Sequence, residues 1–538
     1  MAKGYRLVDR DQLFLLPPDM RDWVRPDHPV WLVITAVRDH LDTGLFHAGR
    51  RTGGAGAAGY DPDMLVTVLV WAYAHRVTSS RRIEELCGTD VAFRVICAGN
   101  LPDHATIARF RAGFPGAVAG FFAEVLALCA RLGMGRLGVV ALDGMKIAAS
   151  ASAAGNRGEA ALAKLAAETV AAHAAADAAE DELFGDARGD EVPGDAWQPG
   201  RRAERIAAAL SGLRAEREAA GREETARAEA FRDRQRAGQR TGCSPDSAAV
   251  ALAQENLARV RAARAAGLDA LNERYAAGQP RRGRAAGVED YCRVRRAAAR
   301  LAQAQARAAA RRDRDRAGGP DKARAGPGPV RNITDPDSRL MPVRGGGFIQ
   351  GYNTQNMTSE DGLIIATELT CDTTDTGWFE PMLRAAEDAA ALIAASRPAG
   401  PGPDDGAIGL VLADAGYCSE HNLTIPGPDR LIATGKRRSL ETAARDGNQP
   451  GPGRGGPATR AMRDRLATED GIAAYRRRGH IAETPHGNIK QNMALRQLNM
   501  RGKPKASAEW AFACAVHNLF KALTAGRLTT QALTDLAT

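Results

Sequence analysis

Apolar and polar positions change rhythm along this chain, and the changes mark its elements. Residues 1 to about 130 carry apolar side chains at helical spacing. Pro29–Arg38 forms one amphipathic segment. Asp61-Pro62-Asp63 reads as a helix start, with Pro62 in the first turn and Met64, Leu65, Val68, Leu69 and Ala72 following on one stripe. Ser80–Leu86 and Leu101–Arg111 continue the pattern, with Asp103 as N-cap and Arg109 and Arg111 expected on the exposed face. Short helices with arginines on the last fit a helix-turn-helix DNA-binding unit or a plain helical bundle.

At Leu137 the pattern becomes that of a strand. Leu137–Leu142 is a short, partly β-branched apolar run that continues past Asp143 and Gly144. From Gly155 to about Gly328 alanine, arginine and glutamate dominate, which predicts long solvated helices with a poor hydrophobic seam. Breaks at Val192–Gly194, Gly242–Pro245 and Gly278–Pro280 divide this stretch into two or more helical hairpins, and Gly318–Pro320 and Gly326–Pro329 end it. Strand signals then return. Gly345–Gln355 and Leu363–Thr370, joined through Ser359–Gly362, predict a hairpin. A helix is expected over Trp378–Ala395, a buried strand over Ala407–Asp414, and another strand over Leu431–Thr434. Basic Lys436, Arg437 and Arg438 and a Gly/Pro-rich loop, Asp446–Pro457, come next. Helical signals run from Ala461 to the end, including amphipathic Ser507–Phe520, where His517 reads as a core histidine. The order predicts an α/β fold: a mixed sheet with a large helical insertion after its first strand, preceded by an all-α region. The expected domains are residues 1–132, 133–154 continued by 331–538, and the insertion 155–330.

Composition narrows the partners. The formal net charge is +9 and the pI near 9.3, a surplus that suits nucleic acid or an ordinary basic surface. The eight cysteines are dispersed without metal-ligand spacing, which points away from a disulfide framework or zinc site and towards a reducing cytoplasm. The first residues lead into no hydrophobic signal core, and no apolar run is long enough to predict a membrane span.

Two predicted strands each deliver an acid, Asp143 and Asp414. One reading is a pair of turn-capping aspartates. The other is a pair of carboxylates at one end of adjacent strands, whose mutual repulsion divalent cations relieve. Two such ions can activate an attacking oxygen and stabilise a leaving one in phosphoryl displacement. Glu483 is the candidate third carboxylate. It lies seven residues before Lys490, so the two share a face if one helix is continuous, with the Arg476–Arg478 cluster nearby for phosphates. An exposed helix with a solvated Glu and Lys is the alternative.

The combination of Asp143-Gly144-Met145-Lys146, Asp335–Arg339, Tyr352–Gln355, Asp414–Tyr417 and the series Tyr475, Arg478, Glu483, Lys490 resembles a bacterial insertion-sequence transposase of the DDE type with a YREK signature. Ala508–Lys521 is similar to that family's C-terminal helix, and residues 20–150 resemble its N-terminal helical domain. The resemblance implies an RNase H-like catalytic domain in which Asp143, Asp414 and Glu483 bind two Mg²⁺ ions, with Mn²⁺ as a substitute. It also implies DNA contacts from Tyr475, Arg478 (Arg476 or Arg477 as alternatives) and Lys490, with Arg109 and Arg111 as further DNA contacts in the helical domain. The implied partners are duplex DNA, both element ends and target, and a second copy of the chain. Pro485, two residues after Glu483, is expected to cap a helix at Thr484 or to kink one begun earlier.

Overall fold

The computed structural model describes residues 19–48, 59–113, 115–169, 171, 200–238, 245–280, 285–317, 330–343, 346–398, 406–435 and 455–537. The basic triplet Lys436–Arg438, most of the loop 446–457, the breaks Val192–Gly194 and Gly318–Pro320, and most of Gly242–Pro245 and Gly326–Pro329 lie outside these residues. The chain divides into two compact units, one comprising 1–153, 337–341 and 349–538, the other 154–336 and 342–348.

In the first unit, helices α1 (Pro29–Thr35), α2 (Pro62–Ala74), α3 (Ser80–Thr89), α4 (Val91–Cys97), α5 (His104–Gly113) and α6 (Pro115–Arg131) precede the first strand. Asp61 caps α2 by accepting from the Asp63 N–H, and Asp103 accepts from the Thr106 N–H at the start of α5. The strands are β1 (Val139–Ala148), β2 (Arg339–Pro342), β3 (Phe348–Ser359), β4 (Ile364–Thr370), β5 (Leu410–Ala413) and β6 (Asp429–Ile432). They form one mixed sheet in the order β2-β3-β1-β5-β6, with β4 paired to β3. The hairpin β3–β4 is antiparallel, and β1 runs antiparallel to β3 from Val140↔Ser359 to Ala148↔Gly351. On its other edge β1 is parallel to β5, from Val139↔Leu410 to Leu142↔Ala413, and β6 is parallel to β5. This parallel pair fixes the site, because its pairing ends at Leu142↔Ala413 and the next residues, Asp143 still within β1 and Asp414 just past β5, lie side by side.

Alternation along β1 gives the sheet two buried faces. Val139 and Ala141 pack with Leu412, Leu431, Ile481 and Ala482 beneath α11 (Pro457–Leu466) and α12 (Glu469–Gly487). Val140 and Leu142 join the larger core with α6, α10 (Phe379–Ser396) and α13 (Lys503–Thr524). The N-terminal helices share that core. Phe121 on α6 stacks on Phe512 of α13 at 5.6 Å, and Tyr73 on α2 meets Phe512 edge-on at 5.3 Å. Fully buried Trp510 donates to Thr367 Oγ1 of β4 at 2.9 Å. Asn518 accepts from the Ile364 N–H and donates to its carbonyl, both at 2.8 Å, so it completes the backbone pairing of β4. His517 is a buried core histidine, as its place in the pattern predicts. Asn488 Nδ2 donates to its Nδ1 at 2.8 Å, and its Nε2 donates to the Gly362 carbonyl at 3.0 Å.

The second unit holds a two-residue ribbon, Asn156–Arg157 with Arg331–Asn332, and three long helices: α7 (Gly200–Arg236), α8 (Asp246–Ala276) and α9 (Cys292–Ala317). α8 packs against both α7 and α9. Its cores are small. Leu162, Ile206, Ala209 and Leu213 make one, Ala228, Phe231 and Ala248 another, and Leu257, Val294 and Ala297 a third. Alanine supplies little apolar area, so three thin patches stand where the first unit has a continuous core.

Candidate active site

Asp143 lies inside β1 and Asp414 directly follows β5, and the parallel register brings them to one end of the sheet. Asp414 caps the short turn Ala415–Tyr417 by accepting from the Gly416 N–H at 2.8 Å, so the capping reading holds for it alongside any catalytic one. Arg478, from α12, reaches both acids. Its Nη2 donates to Asp143 Oδ1 at 2.7 Å and stands 4.0 Å from Asp414 Oδ2. His486 Nδ1 lies 3.6 Å from Asp143 Oδ2. The Arg478 and Asp143 side chains are 13% and 17% exposed, so their attraction is screened far less than that of a surface pair.

The two carboxyls respond oppositely. Burial raises Asp143, but contact with His486 and the charge of Arg478 outweigh it and hold the group below the ordinary aspartate range. Asp414 is raised by burial, and the neighbouring Asp143 and Asp375 add to that rise against the pull of Arg478. The Arg478 guanidinium is lowered by burial and raised more by Asp143, Tyr475, Asp414 and Glu483. The site therefore gathers acids in a buried place, offset by the Arg478 guanidinium and, beside Asp375, by the Lys146 ammonium.

Asp375, just ahead of α10, is a carboxylate the sequence reading passes over. Its Oδ1 accepts from Asn353 Nδ2 at 2.7 Å, Gln355 Nε2 at 2.8 Å and Lys146 Nζ at 3.3 Å. Tyr417 donates to Gln355 Oε1, which fixes that amide. Gly144 makes the approach possible, since a Cβ there would fall 2.8 Å from Asp375 Oδ1. Strand alternation puts Gly144 and Lys146 on the opposite face of β1 from Asp143. The signal for Asp375 was the polar run Asp372–Thr376 before an apolar helix, which looks like any helix entry. His486 had none beyond its place in the Thr484–Gly487 segment.

The other predicted residues divide. Tyr475 donates to the Ala413 carbonyl at 3.2 Å and so steadies the residue before Asp414. Lys490 is half-buried, with its Nζ 3.3 Å from the Lys146 carbonyl. Arg478 holds Asp143, while Arg477 pairs with Glu360 at 2.6 Å and Arg476 is exposed. The helix runs unbroken through Pro485 to Gly487 and passes into a wider turn, Asn488–Asn492. Glu483 is thus on a helix, but exposed. At 100° per residue it sits about 140° around α12 from Arg478, whereas His486 sits about 80° away. The expected common face for Glu483 and Lys490 does not form, because Lys490 turns in against β1. Arg109 is exposed and donates to Thr106 Oγ1 at 3.2 Å. Arg111 is not the exposed cation its spacing suggests. It is half-buried, with Nη1 donating to the Thr78 carbonyl at 2.6 Å and Nη2 to Ser80 Oγ at 3.5 Å, so it ties α5 to the start of α3.

Elsewhere, ligand-type atoms of His47, Asp61 and Asp63 lie within 4.8 Å of one another at the start of α2. Asp61 caps that helix, and Asp63 Oδ1 accepts from Thr43 and contacts His47 Nε2 at 2.9 Å. Among the described residues no single helix is long and apolar enough to cross a membrane.

By class this is an α/β protein with two acids and an arginine gathered at one end of its sheet, and the comparisons bear on its family. Residues 18–113 match the Transposase domain (DUF772), and residues 456–523 match the Transposase DDE domain. Together the two matches support an insertion-sequence DDE transposase. The second match contains Tyr475, Arg478, Glu483 and Lys490; Asp143 and Asp414 lie outside both. A DDE domain implies divalent-metal-dependent nuclease or transposase chemistry on DNA. No curated protein and no solved structure gives a match.

Proposed function

We propose that this protein is a DNA transposase that cleaves phosphodiester bonds at the ends of an insertion sequence and joins the freed strand to target DNA. The observation that carries the reading is the convergence of Asp143, within β1, and Asp414, just past the adjacent parallel β5, on one arginine. An RNase H-like catalytic domain formed by residues 133–154 and 331–538, with 155–330 inserted and the N-terminal helices contacting DNA, is the arrangement this reading assigns.

The residues fit a divalent cation. The donors are carboxylate oxygens, the set Mg²⁺ prefers, and Asp414, whose carboxyl is raised first by burial and then by the nearby Asp143 and Asp375, is a place where a dication would favour the charged form. Asp143, Asp414 and Glu483 would hold two Mg²⁺ ions, and Mn²⁺ would serve in their place. Bound there, the metal would supply Lewis-acid stabilisation of the oxygens that attack and leave phosphorus. Arg478 has a second task. Its Nε and the Nε2 of His486 are buried without a hydrogen-bond partner among the described residues, and both suit a phosphate oxygen of the scissile strand. Tyr475 and Lys490 position that edge and contact the DNA beside it. Water attacks first, and the released 3′-hydroxyl then attacks target DNA; the exchange of like bonds requires no nucleotide cofactor. Two ends must be processed together, so a homodimer or larger assembly on DNA is expected, in the cytoplasm of a bacterial cell.

The test is nicking of a labelled duplex bearing the element's own ends, with Mg²⁺, by the wild type and by Asp414→Ala. Metal-dependent nicking lost in the variant supports the reading. Tight binding without cleavage by either protein would make the acids structural.

A further inference from the structure

The arginines of the second unit are not alike. On α7, Arg214 and Arg217 lie against Glu159, Arg222 against Glu218, Arg227 against Glu223 and Arg232 against Glu255. On α8, Arg261 pairs with Glu289, and Arg264 covers the Tyr291 ring and donates to the Ala286 carbonyl. α9 differs. Arg293, Arg296, Arg300 and Arg307 are all exposed, and none makes an ion pair or hydrogen bond among the described residues. No carboxylate occurs between Cys292 and Ala310.

The four follow helical spacing. Arg296, Arg300 and Arg307 lie three, seven and fourteen residues after Arg293, which places all four within about 60° of arc along roughly 21 Å of helix. The buried positions Val294, Ala297 and Ala308 occupy a neighbouring arc, so packing holds the stripe outward. Holding four like charges in a row costs free energy through mutual repulsion, and no carboxylate pairs with them among the described residues. A polyanion does. Duplex DNA presents a charge about every 1.7 Å of axis, so a rigid row of this length can follow its backbone over about six base pairs without reading bases.

We propose that this stripe on α9 is a binding surface for the phosphate backbone of duplex DNA. It rests on the reading that DNA is the protein's partner, and it assigns the helical insertion a part in holding that DNA.

The experiment measures binding of the full chain to a short labelled duplex lacking the element's ends, without divalent metal, between roughly 50 and 200 mM salt. The wild type is compared with a quadruple variant, Arg293→Gln, Arg296→Gln, Arg300→Gln and Arg307→Gln, and with the same four positions changed to Lys. The Gln variant is expected to bind on the order of 10²-fold more weakly and to lose about 3 to 4 from the slope of log K against log salt. The Lys variant is expected to keep the wild-type slope, and both to keep the wild-type helical circular dichroism. A Gln variant with unchanged slope overturns the proposal, and a changed oligomeric state at unchanged slope would assign the stripe to a second copy of the chain. Wild type without salt-dependent duplex binding overturns the proposal together with the DNA reading beneath it; wild-type binding that the Gln variant matches overturns the stripe alone.

Discussion

The two units use charge in opposite ways. In the sheet-bearing unit a few buried charges hold several partners each. Glu509 is 3% exposed and accepts from the Tyr73 hydroxyl, from both nitrogens of Asn499 and from the Met500 N–H. In the helical unit the charges are numerous and wet. Glu223 and Arg227 leave 63% and 70% of their side chains exposed. A buried carboxylate with four donors cannot be removed without stranding them, whereas an exposed i,i+4 pair exchanges readily with water. Single residues therefore decide the first unit, and sums of residues decide the second.

The sharpest test of that contrast is at the sheet end. Asp414→Asn is expected to reduce metal-dependent strand cleavage by on the order of 10³-fold while leaving the fold intact, since the amide oxygen can still accept from the Gly416 N–H. Glu483→Gln should cost as much. If Asp375→Asn does so and Glu483→Gln does not, the third acid is the one beside Lys146. Next in size, Glu509→Ala should destabilise the first unit by about 3–5 kcal/mol in a denaturant titration, because the Tyr73, Asn499 and Met500 donors lose their acceptor in a buried place.

His517 gives the comparison a pH axis. Burial pushes its imidazole down to about 4, from 6.5 in an open chain, so the fold holds it neutral. Between those values the unfolded chain binds the extra proton, so the contribution is complete above about 6.5 and is lost as pH falls through about 4. The wild type should lose up to about 3 kcal/mol over that window, and His517→Gln should flatten the dependence. The smallest effect belongs to the helical unit. Glu223→Ala should cost no more than about 0.5 kcal/mol, and a larger loss would show that its surface pairs are not interchangeable.

Elements with a strong period were legible in the chain. The apolar runs ending at Asp143 and Asp414 become β1 and β5, and the hairpin and the helix after Trp378 fall close to their expected places. β1 continues past Asp143 to Ala148, as its second half-apolar run predicts, with β3 paired beside it. The meeting of Arg478 with Asp143 was out of reach: 335 residues separate them, and only sheet register and the rotation of α12 bring them together. Arg111 and Arg109 are alike in sequence, and only packing against α3 separates an inward from an outward arginine. Asp375 was hidden by its ordinary setting, a polar turn before a helix.

Joining distinguishes a transposase from a metal-dependent nuclease on the same scaffold, so strand transfer is the most direct measurement. A pre-cut element end with a free 3′-hydroxyl would be incubated with target duplex, Mg²⁺ and the full chain, and the covalently joined product mapped on a sequencing gel. A joined product that requires the metal and is absent with Asp414→Ala is the predicted result. Hydrolysis of the duplex without any joined strand would contradict it and make the protein a nuclease.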